Sequence, residues 1–252
     1  MSRTLLFLCC FFIIVQISFA QKTDSVKNPG YISGSAGITN NGISLIPSFS
    51  LDKPAAIFDM SLGKSKFSFD TEFTFSLRAK PWYFLFWPKY KLVVSPKFRM
   101  DIGAQFSLTF RNVVVPANGD SSEVSVADRY VVGTLVPNYY ITPNISVGIF
   151  YLYAHGLDPS TVNNMNFVTV NANFLNIRLS KKIFMGFAPQ FYYLSQDQNH
   201  GFYFTSSLSV NKINFPLSIS MVINKVIQTE IPSKDFVWNI TLIYFFGRHA
   251  FS

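Results

Sequence analysis

KFSFDTEFTFSLR, residues 66–78, alternates apolar and polar residues along almost its whole length. Successive side chains of an extended strand point to opposite faces, so this stretch predicts a strand with two different sides. One side carries Phe67, Phe69, Thr71, Phe73, Phe75 and Leu77. The other side carries Ser68, Asp70, Glu72, Thr74, Ser76 and Arg78. The fold depends on which of these sides faces water.

The same period of two recurs along the chain and predicts about twelve strands. Turn-forming residues separate them. Many are as long as the roughly 9–11 residues that a tilted strand needs to cross a bilayer, whereas soluble strands average about 5–6. The alternation slips phase near Phe174, which predicts a β-bulge there. The predicted strands are 43–51, 55–62, 66–78, 82–93, 98–110, 130–140, 145–155, 167–180, 183–195, 202–210, 217–223 and 236–246.

Composition indicates which side is wet. Charged residues make up 13% of the 252 residues and aromatic residues 17%, with 28 phenylalanines. A soluble domain usually carries about 25% charged residues. A soluble sandwich would bury its apolar faces between sheets, whereas a membrane barrel turns them to lipid and encloses a polar lumen. Strand length, low charge and the need to avoid open sheet edges favour the barrel. The sequence therefore predicts an all-β fold, a transmembrane antiparallel up-and-down β-barrel of about twelve strands, with fourteen as the alternative count.

The first twenty residues have the pattern of a secretory signal peptide. An apolar run, 5–15, is too short for a spanning helix, and small residues stand at Ser18 and Ala20 before the cleavage point. A lipoprotein signal would need a small residue just before the cysteine and a longer apolar run ahead of it. Cleavage after Ala20 removes Cys9 and Cys10, so the mature chain is expected to hold no disulfide.

The final strand is rich in aromatic residues and reads FVWNITLIYFFGRHAFS. Together with the signal pattern and the repeated amphipathic strands, it resembles uncharacterised outer-membrane β-barrel proteins of Gram-negative bacteria. The resemblance implies location in the bacterial outer membrane. It also implies that the barrel-assembly machinery binds the C-terminal strand, 236–246.

Connection lengths predict a topology, because such barrels have short periplasmic turns and longer outer loops. The longest connection, 111–129, is predicted to lie outside. The segment Tyr31–Thr39 is interpreted as part of a periplasmic arm or as an extra pairing strand. The predicted outer loops are 52–54, 77–81, 111–129, 156–166, 195–201 and 228–235. The predicted domains are signal peptide 1–20, periplasmic N-terminal arm 21–42 and outer-membrane barrel 43–252.

A cluster of charged residues is predicted near the periplasmic end of the lumen, on the polar faces of three successive strands. Opposite charges on neighbouring strands pair favourably. The cluster is a salt-bridge network that rigidifies the pore floor, a charged constriction that selects solutes, or a catalytic site. Its members are Asp70, Glu72, Lys89, Lys91, Arg99 and Asp101.

The net charge is +8, but the basic residues are scattered singly or in pairs near the ends of apolar runs. A nucleic-acid-binding protein would gather them in a patch or stripe. Nucleic acid is therefore not an expected partner. Solvated turn charges, or contact with outer-membrane lipid and lipopolysaccharide, account for the pattern.

The sequence contains few residues in patterns typical of a catalytic or cofactor site. His155, Asp158 and Ser160 lie in one connection, but their spacing matches no hydrolase motif. Histidines are spread apart and the mature chain lacks cysteine, so neither a metal site nor another cofactor is predicted. Tyrosine and tryptophan at strand ends are interpreted as belts at the membrane interfaces. They are Tyr139, Tyr140, Tyr151, Tyr153, Tyr192, Tyr193 and Trp238.

The sequence thus predicts a small porin-like channel for passive passage of solutes and no enzyme. Two alternatives stay open. One is a closed structural barrel whose connection 111–129 contacts a partner. The other is a lipid-modifying enzyme of the outer membrane that uses His155.

Overall fold

The computed structural model describes residues 30–117 and 120–247, apart from the side chains of 115–122, and forms a closed β-barrel. Twelve strands follow one another around it, each antiparallel to its neighbours, so the predicted fold class and strand number are confirmed. Within those residues no helix is long and apolar enough to cross a membrane. The predicted signal peptide, 1–20, lies outside the described residues. The strands are β1 (Tyr31–Thr39), β2 (Ala55–Lys64), β3 (Phe67–Ser76), β4 (Pro81–Val94), β5 (Phe98–Ala117), β6 (Asp120–Thr142), β7 (Ile145–Gly156), β8 (Asn164–Arg178), β9 (Ile183–Gln196), β10 (Asn199–Lys212), β11 (Leu217–Thr229) and β12 (Phe236–Gly247).

Closure depends on pairing between the first strand and the last. β1 pairs with β2 on one side and with β12 on the other, from Ser33 opposite Gly247 to Thr39 opposite Thr241. Hydrocarbon offers no water to an unpaired backbone N–H or C=O group, so an open edge within the bilayer would be costly. The β1–β12 seam removes that edge.

β3 shows which face is wet. Phe73 lies on the outer surface, where its ring packs edge-on against Phe84 at 5.3 Å and Phe86 at 5.7 Å between ring centroids. Asp70 and Glu72 lie on the other face, opposite polar side chains of β2, and line a cavity inside the barrel. Phenylalanine therefore faces lipid and the charged residues face the lumen, as the sequence predicts.

The connections divide the barrel into two ends. At the turn end, β1 begins, β12 ends and five short turns join the strands, at 65–66, 95–97, 143–144, 179–182 and 213–216. At the opposite loop end, the longest irregular connection is loop 1, residues 40–54. By the usual asymmetry of such barrels, we expect the turn end to be the periplasmic one.

The first barrel strand is Tyr31–Thr39, the segment that the sequence offered as an extra pairing strand, and the predicted strand 43–51 is not formed. β1 alternates small residues, which give a weak hydrophobic period, yet it is paired along its length. Segment 43–51 alternates more strongly but contains Pro47, which cannot donate to a strand ladder. Pro47 instead opens a 3₁₀ turn that ends at Phe49.

The predicted outer loop 111–129 is a strand ladder for most of its length. β5 and β6 stay paired from Phe98 opposite Tyr139 to Ala117 opposite Asp120. β4 follows β5 only as far as Thr109, so the upper hairpin pairs mainly with itself and projects beyond the barrel wall. β-branched residues such as those at 113–115 and the alternating polar residues suit an extended ribbon.

The bulge predicted near Phe174 is confirmed. The register between β8 and β9 shifts between Phe174 and Ile177, and Asn176 has a φ of 54°. Asparagine is one of the few residues that tolerates this left-handed backbone. The bulge restores the inward–outward alternation after the phase slip.

The β1–β12 seam can be tested by cross-linking. Thr39→Cys with Thr241→Cys places two thiols on directly opposed residues, whose separation suits a disulfide. We expect the refolded barrel of residues 21–252 to form this bond on mild oxidation, seen as a mobility shift on a non-reducing gel. Thr39→Cys with Val237→Cys, four residues out of register, is the control. Equal cross-linking of both pairs would contradict the seam.

Candidate functional site

The lower lumen, toward the turn end, holds a charged cavity of about 310 Å³. Asp70 of β3 is its best-bonded carboxylate. Lys89 Nζ lies 2.6 Å from Asp70 Oδ2, and Ser61 Oγ donates to Asp70 Oδ1 at 2.5 Å. These contacts join three adjacent strands across the floor of the lumen.

Two further carboxylates face the same cavity. Asp59 of β2 lies directly opposite Glu72 of β3 in the ladder. Ser35 Oγ donates to Asp59 Oδ2 at 2.7 Å, and the Tyr83 hydroxyl donates to Glu72 Oε1. The cavity lining thus carries three carboxylates and one ammonium group, that of Lys89.

The sequence-predicted cluster is divided into three parts. Asp70, Glu72 and Lys89 line the charged cavity, whereas Lys91 and Asp101 face each other below it on β4 and β5. Among the described residues, no ion pair joins Lys91 to Asp101. Arg99 lies apart, with its guanidinium carbon 4.7 Å from the centre of the Tyr140 ring.

Asp59 belongs to the charged cavity but was not predicted from the sequence. Its strand, 55–62, alternates weakly because apolar residues stand on both faces. Phe58 and Met60 are both exposed on the lipid face. A carboxylate between two lipid-facing residues has to point inward, so this signal was present in the sequence.

Trp87 separates the charged cavity from the lumen above it. Lys89 Nζ lies over the face of the Trp87 indole, 3.6 Å from the ring centre. The Trp87 ring centroid lies 6.3 Å from that of Phe150 on β7. Gly103 makes room for the indole, because an added Cβ there would lie 2.3 Å from Trp87 Nε1. Trp87 and Leu85 line both the charged cavity and the cavity above.

An aromatic row continues around the inner wall from Trp87. Phe150, Phe167, Tyr192 and Tyr203 come from four successive strands, β7 to β10. Neighbouring ring centroids are 6.1, 5.0 and 4.7 Å apart, and the last pair is stacked. The two tyrosine hydroxyls are bonded to Asn224 and Thr229, so burial leaves neither without a partner.

Loop 1 folds into the upper lumen and covers this aromatic row. Its neck is closed by the Gly42 N–H, which donates to the Lys53 carbonyl at 2.7 Å. Trp82 Nε1 donates to the Phe49 carbonyl at 2.7 Å, and Gln196 Nε2 donates to Ser48 Oγ at 2.7 Å. The loop therefore reaches from β1 and β2 to the wall at β4 and β9.

A second, apolar cavity of about 350 Å³ lies between loop 1 and the wall. Loop 1 contributes Ile43, Leu45, Ile46 and Phe49, and the Phe49 ring packs edge-on against Tyr130 at 5.4 Å. Beneath the loop the wall is tightly packed. Met165, Leu194 and Tyr203 are each 0% exposed.

The predicted interface belts are correct in part. Tyr139, Tyr153 and Trp238 are exposed on the lipid face. Tyr140 and Tyr192 instead face the lumen, and Tyr192 belongs to the aromatic row. Consecutive aromatic residues such as 139–140 and 192–193 point to opposite faces of their strand. Only one member of each pair can therefore face the membrane interface.

The residues considered for catalysis do not converge. His155 is exposed on the outer face near the end of β7. Arg129 donates to both carboxylate oxygens of Asp158, and Ser160 Oγ donates to Asp128 Oδ1 at 2.7 Å. The Arg129 contacts hold the pKa of the Asp158 carboxyl below its usual value, so the pair persists where a free aspartate would begin to protonate.

Comparison with known proteins shows the fold. No family model and no curated protein matches the chain. The KdgM porin, solved alone and in complex with disordered oligogalacturonate, superposes with a TM-score of 0.51, 11% identity, and coverage of 85% of this chain and 98% of that chain. The NanC porin superposes with a TM-score of 0.50, 8% identity, and coverage of 85% of this chain and 97% of that chain. The chain therefore has the architecture of outer-membrane porins.

Loop 1 should shield the upper wall from water-soluble reagents. Met165→Cys in the barrel of residues 21–252 is expected to react slowly with a polar maleimide, because Met165 is fully covered. Adding Phe49→Ala removes a ring from this core and should speed the reaction by at least about tenfold. Lys91→Cys, exposed below, is the control and should react equally fast in both backgrounds. If Met165→Cys is labelled fast while loop 1 is unaltered, loop 1 does not lie inside the lumen.

Proposed function

We propose that this barrel lets small solutes pass passively across the bacterial outer membrane. The observation that carries the proposal is the lumen itself. Two cavities lie one above the other, share Leu85 and Trp87 as lining residues, and end in a floor of charged side chains. Rings of charged side chains are a common means of ion selectivity in pores.

The sign of the charge favours cations. Asp59, Asp70 and Glu72 line the lower cavity against one cation, Lys89. The KdgM porin is described with oligogalacturonate, a polyanion, and shares only 11% of its residues with this chain. An excess of carboxylates would repel such a solute, so we propose a different solute charge for this barrel.

Loop 1 limits what passes. It narrows the upper lumen on the side of β4 to β9 and leaves an apolar cavity beside it. Solutes small enough to pass Trp87 and Phe150 fit this arrangement. The same packing favours a second candidate, a closed barrel, because Met165, Leu194 and Tyr203 in the wall beneath loop 1 are each 0% exposed.

The proposal includes the route by which the chain reaches the outer membrane. Export through the signal peptide 1–20 and recognition of strand 236–246 by the barrel-assembly machinery would bring the chain to the outer membrane. Strand β12 supports this role, because it presents Trp238, Ile240 and Leu242 to lipid and closes the seam with β1. Passage of this kind needs no catalytic group.

Planar-bilayer recording tests the selectivity. The barrel should conduct, and its reversal potential in a KCl gradient should show preference for K⁺. Asp59→Asn, Asp70→Asn and Glu72→Gln together should lower that preference at least about fivefold, since one nearby charge is worth about 1 kcal/mol even in water. The matched control is Asp52→Asn, Glu230→Gln and Asp235→Asn, which removes three carboxylates from the loop end. An equal loss of preference in both variants would contradict the role of the lower cavity.

A loosened loop distinguishes the two candidates. Phe49→Ala with Trp82→Phe removes the ring contact and the indole bond that hold loop 1. The variant loses packing contacts worth about a few kcal/mol, so loop 1 should leave the lumen more often. Its conductance should therefore exceed that of the unaltered barrel by about two- to tenfold. If neither protein conducts while both migrate as folded barrels on an unheated gel, the closed barrel is correct and passage is wrong.

A further inference from the structure

The turn end of the barrel is strongly basic. The five stretches 63–67, 94–99, 141–145, 178–183 and 212–217 contain no aspartate or glutamate. Arg99 and Arg178 face the lumen, and the remaining six basic residues of these stretches form what we call the basic rim. Its members are Lys64, Lys66, Lys97, Lys181, Lys182 and Lys212, all of them exposed. Charges that are scattered in the sequence are thus gathered at one end by the up-and-down topology.

The loop end differs, because most of its charged residues are paired. Five ion pairs of lysine or arginine lie there, including Arg111 with Asp128 at 2.9 Å and Arg129 with Asp158 at 2.6 Å, and His200 lies beside Glu230. Among the described residues, no member of the basic rim forms an ion pair. The positive potential of the barrel is therefore concentrated at the turn end.

The basic rim lies at the depth of a membrane interface. Exposed apolar side chains stand beside it in the same turns, among them Leu179, Ile213 and Phe215. Lys212 Nζ lies 5.3 Å from the centre of the Phe215 ring. Cations above an apolar band, with aromatic rings between them, are the usual arrangement where a protein surface crosses the headgroup region.

The rim surrounds the barrel instead of converging. Its residues belong to the β2–β3, β4–β5, β8–β9 and β10–β11 turns, which are distributed around the circumference. A compact soluble anion could contact only one of these turns at a time. A layer of anionic headgroups contacts all of them together, and each basic residue near such a surface strengthens binding.

We propose that the basic rim binds anionic phospholipid headgroups of the leaflet at the turn end. The sequence left lipid and lipopolysaccharide equally open as partners for the positive charge. The structure assigns the unpaired charge to the end opposite the outer loops, which is the phospholipid side of an outer membrane when the turn end is periplasmic. This binding is independent of whether the lumen conducts.

Lipid retention in mass spectrometry tests the proposal. The barrel of residues 21–252 is placed in nanodiscs of equal parts phosphatidylglycerol and phosphatidylcholine, and the lipids that stay bound on release are counted. We expect phosphatidylglycerol to be enriched, and the enrichment to fall as salt is raised. Lys64→Gln, Lys181→Gln, Lys182→Gln and Lys212→Gln together should reduce the enrichment at least about fivefold.

The matched control removes four lysines from the loop end, namely Lys53→Gln, Lys80→Gln, Lys225→Gln and Lys234→Gln. It should keep the enrichment of the unaltered barrel. Equal losses in both variants, or no enrichment at all, would overturn the proposal. Binding of inorganic polyphosphate in lipid-free detergent, lost in the same rim variant and able to displace the phospholipid, would assign the rim to a soluble polyanion instead. If the rim variant does not fold, Lys181→Gln with Lys182→Gln alone should give a smaller loss in the same direction.

Discussion

The structure depends on the satisfaction of backbone hydrogen bonds in hydrocarbon. A strand there has to be bonded on both sides, and the only arrangement that achieves this for every strand of a sheet is closure. In this chain the closing contact is the seven-residue register between β1 and β12. Once the sheet is closed, each strand has a lipid side and a lumen side, and a shift of one residue would exchange them. The inward position of the lumen-lining residues, such as Asp70 and Glu72, follows from this seam.

Closure also explains why the lumen is rich in interactions. Polar residues on strands that are neighbours around the barrel are brought to the same depth, as are Ser61, Asp70 and Lys89. The lumen is too wide for small side chains on the wall to fill. Loop 1 supplies additional apolar side chains in the upper half of the lumen. The result is a lumen with two chemically different levels. Carboxylates line the lower level, and aromatic and aliphatic side chains line the upper one, with Trp87 between them.

The sequence was sufficient to predict the fold class, the number of strands, the turn and loop ends of the barrel and the inward face of β3. It was sufficient because a hydrophobic period of two indicates a strand whose two faces lie in different surroundings. It was insufficient where both faces are apolar or both are small. β1 could be offered only as an arm or an extra pairing strand, because Ser33, Gly34, Ser35, Ala36 and Gly37 hardly differ in polarity. Segment 43–51 was misassigned because its half-buried apolar residues pack inside the barrel, where they give the same alternation as a strand. Trp87 and Tyr192 were not recognised as lumenal because strands 82–93 and 183–195 carry aromatic residues on both sides. Loop 1 and the apolar cavity depend on contacts between residues far apart in sequence, such as Ser48 with Gln196, which no local pattern contains.

The pairing of charges at the loop end has a consequence for biogenesis. An outer-membrane barrel is inserted from the periplasm, so its loops travel through the bilayer while its turns stay behind. A lone lysine or aspartate carried across hydrocarbon is expensive, and a neutralised pair is less so. Here the loop end holds most of its acids and bases together, as in Lys80 with Glu123 and Lys225 with Asp235, whereas the basic rim stands unpaired at the end that does not cross. Such a distribution of charge would lower the free-energy cost of moving the loops across the bilayer.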